Sequence, residues 1–200
     1  MVKFVFIGIV SFLIWKVFFY SRINHPAGVL ISEAPTQSTS GRTEPWKHKQ
    51  FTIKPLAGFK IASRILSRRC YSRDPFSEVM PCDLALGWGA MSDSAILDQL
   101  EISQALRWYM YRWPNFPPID PAVIERSSAN MHLIPSTEVI QKQIEKFKIG
   151  SLIELNGILV SVDGPSGVSI TSSLSRDDSG QGACEVIWVD SINLLNNNKH

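Results

Sequence analysis

The longest apolar run of the chain lies at its beginning. Residues 4–20 read FVFIGIVSFLIWKVFFY and contain one charged residue, Lys16. As a helix this run would measure roughly 26 Å, close to the hydrocarbon thickness of a bilayer. The residues after it are bulky or charged and lack the small-x-small pattern of a signal-peptidase site. The pattern predicts a retained transmembrane anchor over residues 1–21, in preference to a cleaved signal peptide or a buried helix.

The following segment, residues 22–50, has a different composition. It includes the run SEAPTQSTSGRTEP, which is poor in apolar residues and rich in Ser, Thr and Pro. Such a segment buries too little apolar surface to offset the entropy lost on ordering. We therefore predict a disordered stalk between the anchor and a folded domain.

From Phe51 onward, apolar and polar positions alternate with a period of two, which is typical of strands. Two short strands are predicted at 51–54 and 59–65, separated by Pro55 and Gly58. The aromatic-rich stretch 102–113 alternates throughout and predicts a single strand. Residues 152–162 predict a long strand, which Gly157 interrupts at its middle.

Three short helices are predicted from their capping residues. Ser92 or Asp93 caps the first, Asp120 followed by Pro121 begins the second, and Ser136 or Thr137 begins the third. The fold class predicted is α+β, an N-terminal transmembrane helix followed by a small OB-like β-barrel domain with two or three short helices. We place this domain at residues 51–195, followed by a polar tail at 196–200.

Composition narrows the function only slightly. The chain has 200 residues, a net charge of +2 and 19% charged residues, so its charge demands no acidic partner. Cys70, Cys82 and Cys184 form no C-x-x-C pair, and no metal site or cofactor is predicted. Cys70 and Cys82 either form a disulfide in an oxidising compartment or remain two unrelated thiols. Cys184 is predicted to be a small buried apolar residue.

Four motifs occur in a fixed order behind the apolar run. They are HPAGVL from His25, DLALGWGAMSD from Asp83, SANMHLIP from Ser128 and GQGACEVIWV from Gly180. Together they resemble an uncharacterised family of bacterial single-pass membrane proteins. The resemblance implies a bacterial origin and a retained anchor, and it implies no activity.

Trp88 and a pair of polar residues are candidates for function. Trp88, framed by glycines, is an exposed contact for a partner or a buried side chain that closes one end of the domain. Ser92 and His132 suggest a hydrolase with serine as nucleophile and histidine as base, although no G-x-S-x-G elbow is present. The candidate ligand or partner contacts are therefore Trp88, Ser92, Asp93, Asn130 and His132.

A basic stretch offers a third possibility. It would contact an anionic surface, or else form an ordinary solvated face, and its members are Lys60, Arg64, Arg68, Arg69 and Arg73. Aromatic residues do not alternate with these charges, as they do in proteins that stack on bases, so nucleic acid is not favoured as a partner.

These observations predict a membrane-anchored, non-enzymatic binding or assembly module at the bacterial cell envelope. Its expected partners are the lipid bilayer, through residues 4–20, and an unidentified protein. We expect a single-pass protein of the inner membrane with its domain in the periplasm. The alternatives are an envelope hydrolase using Ser92 and His132, or an OB-like binder of nucleic acid or another anionic polymer.

Overall fold

A computed structural model describes residues 22–175 and 184–195. The predicted anchor at 1–21 and the polar tail at 196–200 lie outside these residues. Within them, no helix is both long and apolar enough to cross a bilayer. The predicted transmembrane helix therefore has no support in the part of the chain that the structure describes.

The described residues form mainly strands. In chain order the strands are β1 (Thr36–Ser38), β2 (Trp46–His48), β3 (Phe51–Cys70), β4 (Cys82–Gly87), β5 (Glu101–Ala105), β6 (Trp108–Arg112), β7 (Ser128–Pro135), β8 (Leu152–Asp163), β9 (Ser169–Thr171) and β10 (Glu185–Leu194). The helices are short: α1 (Ser94–Leu97), α2 (Pro121–Arg126) and α3 (Glu138–Lys146). Single 3₁₀ turns cover Gly89–Ser92 and Pro165–Gly167.

The main sheet closes into a ring of strand pairings. Its order is β3, β4, β7, β10, β8 and back to β3, with β7 and β10 parallel and the other neighbours antiparallel. The ring closes because β3 is long enough to pair with two strands. Its first part pairs with β8 and its last part with β4.

The prediction of two strands at 51–54 and 59–65 is therefore wrong. Pro55 does not end the strand. It lies opposite Val160 in β8, and the register shift that follows leaves Leu56 as the extra residue of a bulge. Gly58 continues the ladder opposite Ile158. The prediction for 102–113 is also wrong, since this stretch folds into the separate two-stranded hairpin β5–β6.

The predicted fold class is corrected as well. Strands hold 45% of the described residues and helices 16%, so the fold is mostly β rather than α+β. A mostly-β domain built on a ring of strand pairings replaces the predicted α+β, OB-like domain. The physical reason is that segments predicted as a stalk and as turns join the sheet instead: β1 and β2 lie within residues 22–50, and β3 continues without a break from Phe51 to Cys70. The predicted transmembrane helix lies outside the described residues.

The main core lies on the inner side of the ring. Alternate residues of each strand point inward and are almost fully buried, among them Leu84, Met131, Leu155, Leu159 and Ile187. Helix α3 adds Ile140 and Ile144 to the same cluster. Two further clusters cover the outside, one around Phe51 and Val186 and the other beneath the β5–β6 hairpin.

Residues 22–50, predicted as a disordered stalk, lie against the domain instead. Strands β1 and β2 both pair with β3. Nearer the start, the Ile23 amide donates to the Ile149 carbonyl at 2.8 Å. This close approach requires glycine at position 150, where φ is +88° and an added Cβ would lie 2.0 Å from the Ile23 carbonyl oxygen. Composition alone did not reveal these backbone contacts.

Candidate functional site

Asp83 and His132 form the centre of the candidate site. They lie directly opposite each other in the β4–β7 ladder. Their chain neighbours point into the core of the ring, so these two side chains point to its outer face. Asp83 is fully buried and His132 is 3% exposed. Asp83 in β4 and His132 in β7 therefore both lie away from bulk water.

Arg107, at the turn of the hairpin, covers this pair. Its guanidinium donates to Asp83 Oδ1 at 2.9 Å, to both carboxylate oxygens of Asp74 at 2.9 and 3.0 Å, and to the Met80 carbonyl at 2.9 Å. Its backbone amide donates to the Tyr71 hydroxyl at 3.1 Å. One side chain thus joins the hairpin, the 71–81 loop and the ring.

The protonated form of His132 is stabilised by its neighbours. Its Nδ1 lies 2.9 Å from Asp83 Oδ1, although the ring N–H is poorly aligned with that oxygen, so the contact is chiefly an ion pair. Burial by itself lowers the pKa of His132, but Asp83 and Cys184 outweigh burial and raise the pKa to about 9. His132 is therefore an imidazolium at neutral pH.

Cys184 completes this cluster. It is a free, partly exposed thiol immediately before β10, and it lies close enough to the His132 ring to raise the pKa of His132. His132 therefore contacts a thiol and a carboxylate. Across residues 22–175 and 184–195 no three His, Cys, Asp or Glu side chains have an arrangement that suits a metal ion.

Asn130 connects the network to the strand before the hairpin turn. Its Nδ2 donates to the Arg107 carbonyl at 2.9 Å, and its Oδ1 accepts from Gln104 Nε2 at 2.6 Å. Asn130 is buried. Asn130 and His132, two of the predicted contact residues, therefore belong to one buried network and not to an exposed surface.

Ser92 and Asp93 lie elsewhere and have structural partners. The fully buried Ser92 hydroxyl accepts from the amides of Leu30 and Ile31 and donates to the Gly89 carbonyl. Asp93 caps α1 through Ala95 and accepts from the Gly28 amide at 2.7 Å. These two amide hydrogen bonds lower the pKa of Asp93. Both residues hold the segment 28–31 in place.

The predicted Ser92–His132 pair is not formed. His132 contacts Asp83 and Cys184, and in the part of the chain that the structure describes no hydrogen bond joins it to Ser92. Trp88, the other predicted contact, is 3% exposed and belongs to the main core. Of the two alternatives for Trp88, an exposed contact or a buried side chain, the structure supports the buried side chain.

The five basic residues do not converge on one surface. Arg64 is 2% exposed and donates to the Ser92 carbonyl and the Ser94 hydroxyl. Lys60 pairs with Glu154 across the ladder, and Arg68 donates to the Glu145 carbonyl at the end of α3. Arg69 and Arg73 remain exposed. A continuous groove for an anionic polymer is absent from this arrangement.

Cys70 and Cys82 are joined by a disulfide. They are direct partners in the β3–β4 ladder, with a Cα–Cα distance of 4.0 Å. The bond closes the 71–81 loop, which carries Asp74 and Tyr71 toward Arg107. The disulfide therefore supports the loop side of the buried network.

The β5–β6 hairpin has two unlike faces. Its inner face places Tyr109 and Tyr111 against the cluster formed with Leu97 and Ile124. Its outer face exposes Trp108 by 45% and Met110 by 44% of their surfaces, and the turn exposes 87% of Leu106. The outer face and the turn form a contiguous apolar strip, which we call the hairpin strip (Leu106, Trp108 and Met110).

The turn of this hairpin has an uncommon backbone. Leu106 and Arg107 both have positive φ, +50° and +66°. A two-residue turn of this kind normally uses Asn and Gly, because a side chain disfavours positive φ. Leu106 and Arg107 give no sequence signal for such a turn, which is why the prediction ran one strand through it.

Sequence reasoning missed Asp83, Arg107 and Cys184 as members of the site. Asp83 could have been found as the lone charge in the buried strand DLALG, which demands a partner. His132 has the same signal in the strand SANMHLIP. Nothing local marks Arg107, whose role depends on the hairpin and the loop meeting in space.

No protein-family model, curated protein or solved structure matches this chain.

Proposed function

We propose that this domain is a non-enzymatic protein-binding module whose contact surface is the hairpin strip. The observation that carries the proposal is the turn itself. Two residues with side chains are held at positive φ, with one of them, Leu106, almost fully exposed. Such strain costs on the order of 1–3 kcal/mol per residue and is concentrated at functional sites.

The buried network fixes this turn in place. Arg107 is held by Asp74, Asp83, Met80 and Tyr71, and its carbonyl is held by Asn130. Because Arg107 is anchored, Leu106 stays at the tip and Trp108 stays on the outer face. A surface that is rigid before binding loses little entropy when a partner contacts it.

The partner that we propose is an extended segment of another protein, added as a strand along β6. In the hairpin register, Trp108 and Met110 exchange hydrogen bonds with β5, so the backbone groups of Tyr109 and Tyr111 point away from it. Within the part of the chain that the structure describes, no backbone partner is recorded for these groups. An unpaired strand edge beside apolar side chains favours strand addition.

A capture experiment with matched variants tests this proposal. Wild-type protein, Trp108→Ser/Met110→Ser and Val139→Ser are used as baits in extracts of cells that naturally make the protein. Val139 is 67% exposed on α3 and serves as the control for loss of an apolar surface residue. We expect a partner retained by wild type and Val139→Ser, with at least tenfold less bound to the double variant.

Hydrogen exchange with the purified partner then tests the mode of binding. Strand addition predicts that the amides of Tyr109 and Tyr111 exchange more slowly in the complex. Equal capture by all three baits, or unchanged exchange at both amides, contradicts the proposal. If wild type self-associates in sedimentation experiments and the double variant does not, the occupant is a second copy and the proposed partner is wrong.

The disulfide bears on where such a module would work. A structural Cys70–Cys82 bond is favoured in an oxidising compartment, such as the bacterial periplasm or the extracellular space. We therefore propose one of these compartments for the domain.

A second candidate function is favoured by the contact of Cys184 with His132 and Asp83. A cysteine sulfur beside a histidine that a carboxylate orients is a suitable nucleophile for acyl transfer. In such a reaction the Cys184 sulfur would bond to the acyl carbon, and the leaving alcohol would take the proton from His132. Water would then hydrolyse the thioester, with His132 accepting its proton.

Two assays test this candidate. Alkylation by iodoacetamide near pH 6.5 should be at least tenfold faster for wild type than for His132→Gln. Hydrolysis of p-nitrophenyl acetate should disappear in Cys184→Ser and persist in Ser92→Ala. Loss of hydrolysis only in Ser92→Ala, or equal alkylation of wild type and His132→Gln, excludes the Cys184 nucleophile.

A further inference from the structure

A cavity outside the site described above combines two arginines with aliphatic walls. Its volume is about 130 Å³, and it lies where β3, α1, β5 and the loop before β8 meet. Its lining includes Arg22, Arg64, Leu97, Leu100, Ile102 and Ile149. A cavity of similar size, roughly 150 Å³, can hold one benzene molecule.

Arg64 reaches this cavity with donors to spare. It is 2% exposed, and its Nη1 donates to the Ser92 carbonyl and to the Ser94 hydroxyl, each at 2.9 Å. Nε and Nη2 have no recorded acceptor among the described residues, although a guanidinium carries five N–H donors in a planar fork. Arg64 therefore lines the cavity with more N–H donors than these two hydrogen bonds use.

No carboxylate neutralises Arg64 within the described residues. Its side chain forms no ion pair there, and Asp93 and Asp98 act on it only from a distance. Burial first, and the charge of Arg22 second, lower the pKa of Arg64. Two guanidinium groups line one cavity, and neither forms an ion pair with a carboxylate of the described residues. Burying a charge without an ion-pair partner is costly.

We propose that this cavity binds a small carboxylate that carries an aliphatic group. The planar fork of Arg64 matches the two oxygens of a carboxylate, and Arg22 supplies a second positive charge at the same cavity. Leu97, Leu100 and Ile102 form a wall that would contact a hydrocarbon chain of about four carbons. Such a carboxylate is either a free short-chain acid or the C-terminus of a peptide that ends in an aliphatic residue.

Calorimetric titration of the whole protein tests the proposal. The probes are pentanoate, pentanol, inorganic phosphate, and the peptide acetyl-Gly-Gly-Leu as its free acid and as its amide. We expect saturable binding of pentanoate or of the free-acid peptide, at least tenfold weaker binding of pentanol and of the peptide amide, and little binding of phosphate. Pentanoate binding alone identifies a free acid, whereas tighter binding of the peptide acid identifies a peptide C-terminus.

Variants separate this site from a general charge effect. Arg22 has an exposed side chain, so Arg22→Gln should weaken binding of the carboxylate at least fivefold without unfolding the domain. Arg64→Lys retains the charge and loses the fork, and should weaken binding at least tenfold. Arg126→Gln, which removes a charge at the end of α2, should change nothing. Equal binding of pentanol and pentanoate, phosphate binding as tight as pentanoate, or unchanged affinity in Arg22→Gln and Arg64→Lys overturns the proposal.

Discussion

At the scale of single residues, the domain depends on one buried carboxylate. Asp83 accepts from Arg107 and pairs with His132, so it holds two cations away from water. Its second oxygen, Oδ2, is buried without a hydrogen-bond partner among the described residues. A buried charge in such a position stabilises the fold only while its partners remain.

Asp83→Asn should therefore be strongly destabilising. The substitution leaves Arg107 and His132 without their shared counter-charge, and we expect a loss of about 3–5 kcal/mol in the free energy of unfolding. Asp163→Asn is the control, because Asp163 pairs with Lys54 at a largely exposed site and should cost less than about 1 kcal/mol. Denaturant titrations of both variants provide the comparison, and similar losses in the two would contradict a central role for Asp83.

Because of His132, the free energy of unfolding should fall as the pH rises above neutral. Its pKa is about 9 in the fold and near 6.5 in the unfolded chain. Its contribution is therefore complete below about pH 6.5 and is lost as the pH rises through 9. Between pH 6 and pH 9.5, wild type should lose on the order of 3 kcal/mol more than His132→Gln. Parallel losses in the two proteins would show that His132 is not stabilised as an imidazolium.

At the scale of elements, the hairpin carries a conflict between local preference and tertiary contacts. Leu106 and Arg107 disfavour the positive φ angles that the turn requires. The hydrogen bonds of Arg107 and the packing of Tyr109 and Tyr111 nevertheless hold the hairpin on the ring. Where a sequence violates a local rule and retains the structure, function is a common reason. This arrangement keeps the side chains of the hairpin strip exposed and fixed in position.

Leu106→Asn should make the turn more stable and the module less active. Asparagine tolerates positive φ better than leucine, so we expect an increase of about 0.5–1 kcal/mol in the free energy of unfolding. Because the same change removes an exposed apolar side chain, binding of the partner should weaken. Thermal denaturation and the capture assay are run on one preparation; lower stability, or unchanged capture, would argue against a strained recognition turn.

The sequence predicted local starts and ends better than long-range pairing. Asp120, Thr137 and Asp93 cap helices as expected, since their side chains accept from amides within the same first turn. The strand at 152–162 is also confirmed, as β8. By contrast, the docking of residues 22–50, the length of β3 and the position of Arg107 depend on partners far along the chain, which no window of sequence contains.

At the scale of the whole molecule, one covalent bond links the ring to the loop that covers it. The Cys70–Cys82 disulfide joins β3 and β4, and the 71–81 loop between them carries Asp74 to Arg107. The loop contains Pro75 and Pro81, and it also packs on the ring through Phe76, Val79 and Met80. The position of the 71–81 loop and the position of the hairpin therefore depend on each other.

Reduction of the disulfide should weaken the domain measurably. Opening a loop of this length costs about 2–3 kcal/mol in the chain-entropy account of disulfides. Chemical denaturation with and without dithiothreitol measures the difference, and Cys70→Ala/Cys82→Ala should show the lower stability under both conditions. A wild type whose stability is insensitive to the reductant would show that the bond contributes nothing to the fold.

The central claim is that the hairpin strip contacts another protein, and site-specific photo-crosslinking tests it most directly. A photo-reactive amino acid is placed at position 106 and, in a separate protein, at position 139, and both are irradiated in cells that naturally make the domain. We predict a crosslinked protein at position 106 that is absent at position 139 and is lost when Trp108→Ser/Met110→Ser is added. No crosslink at 106, or the same crosslinked protein at both positions, would contradict the account.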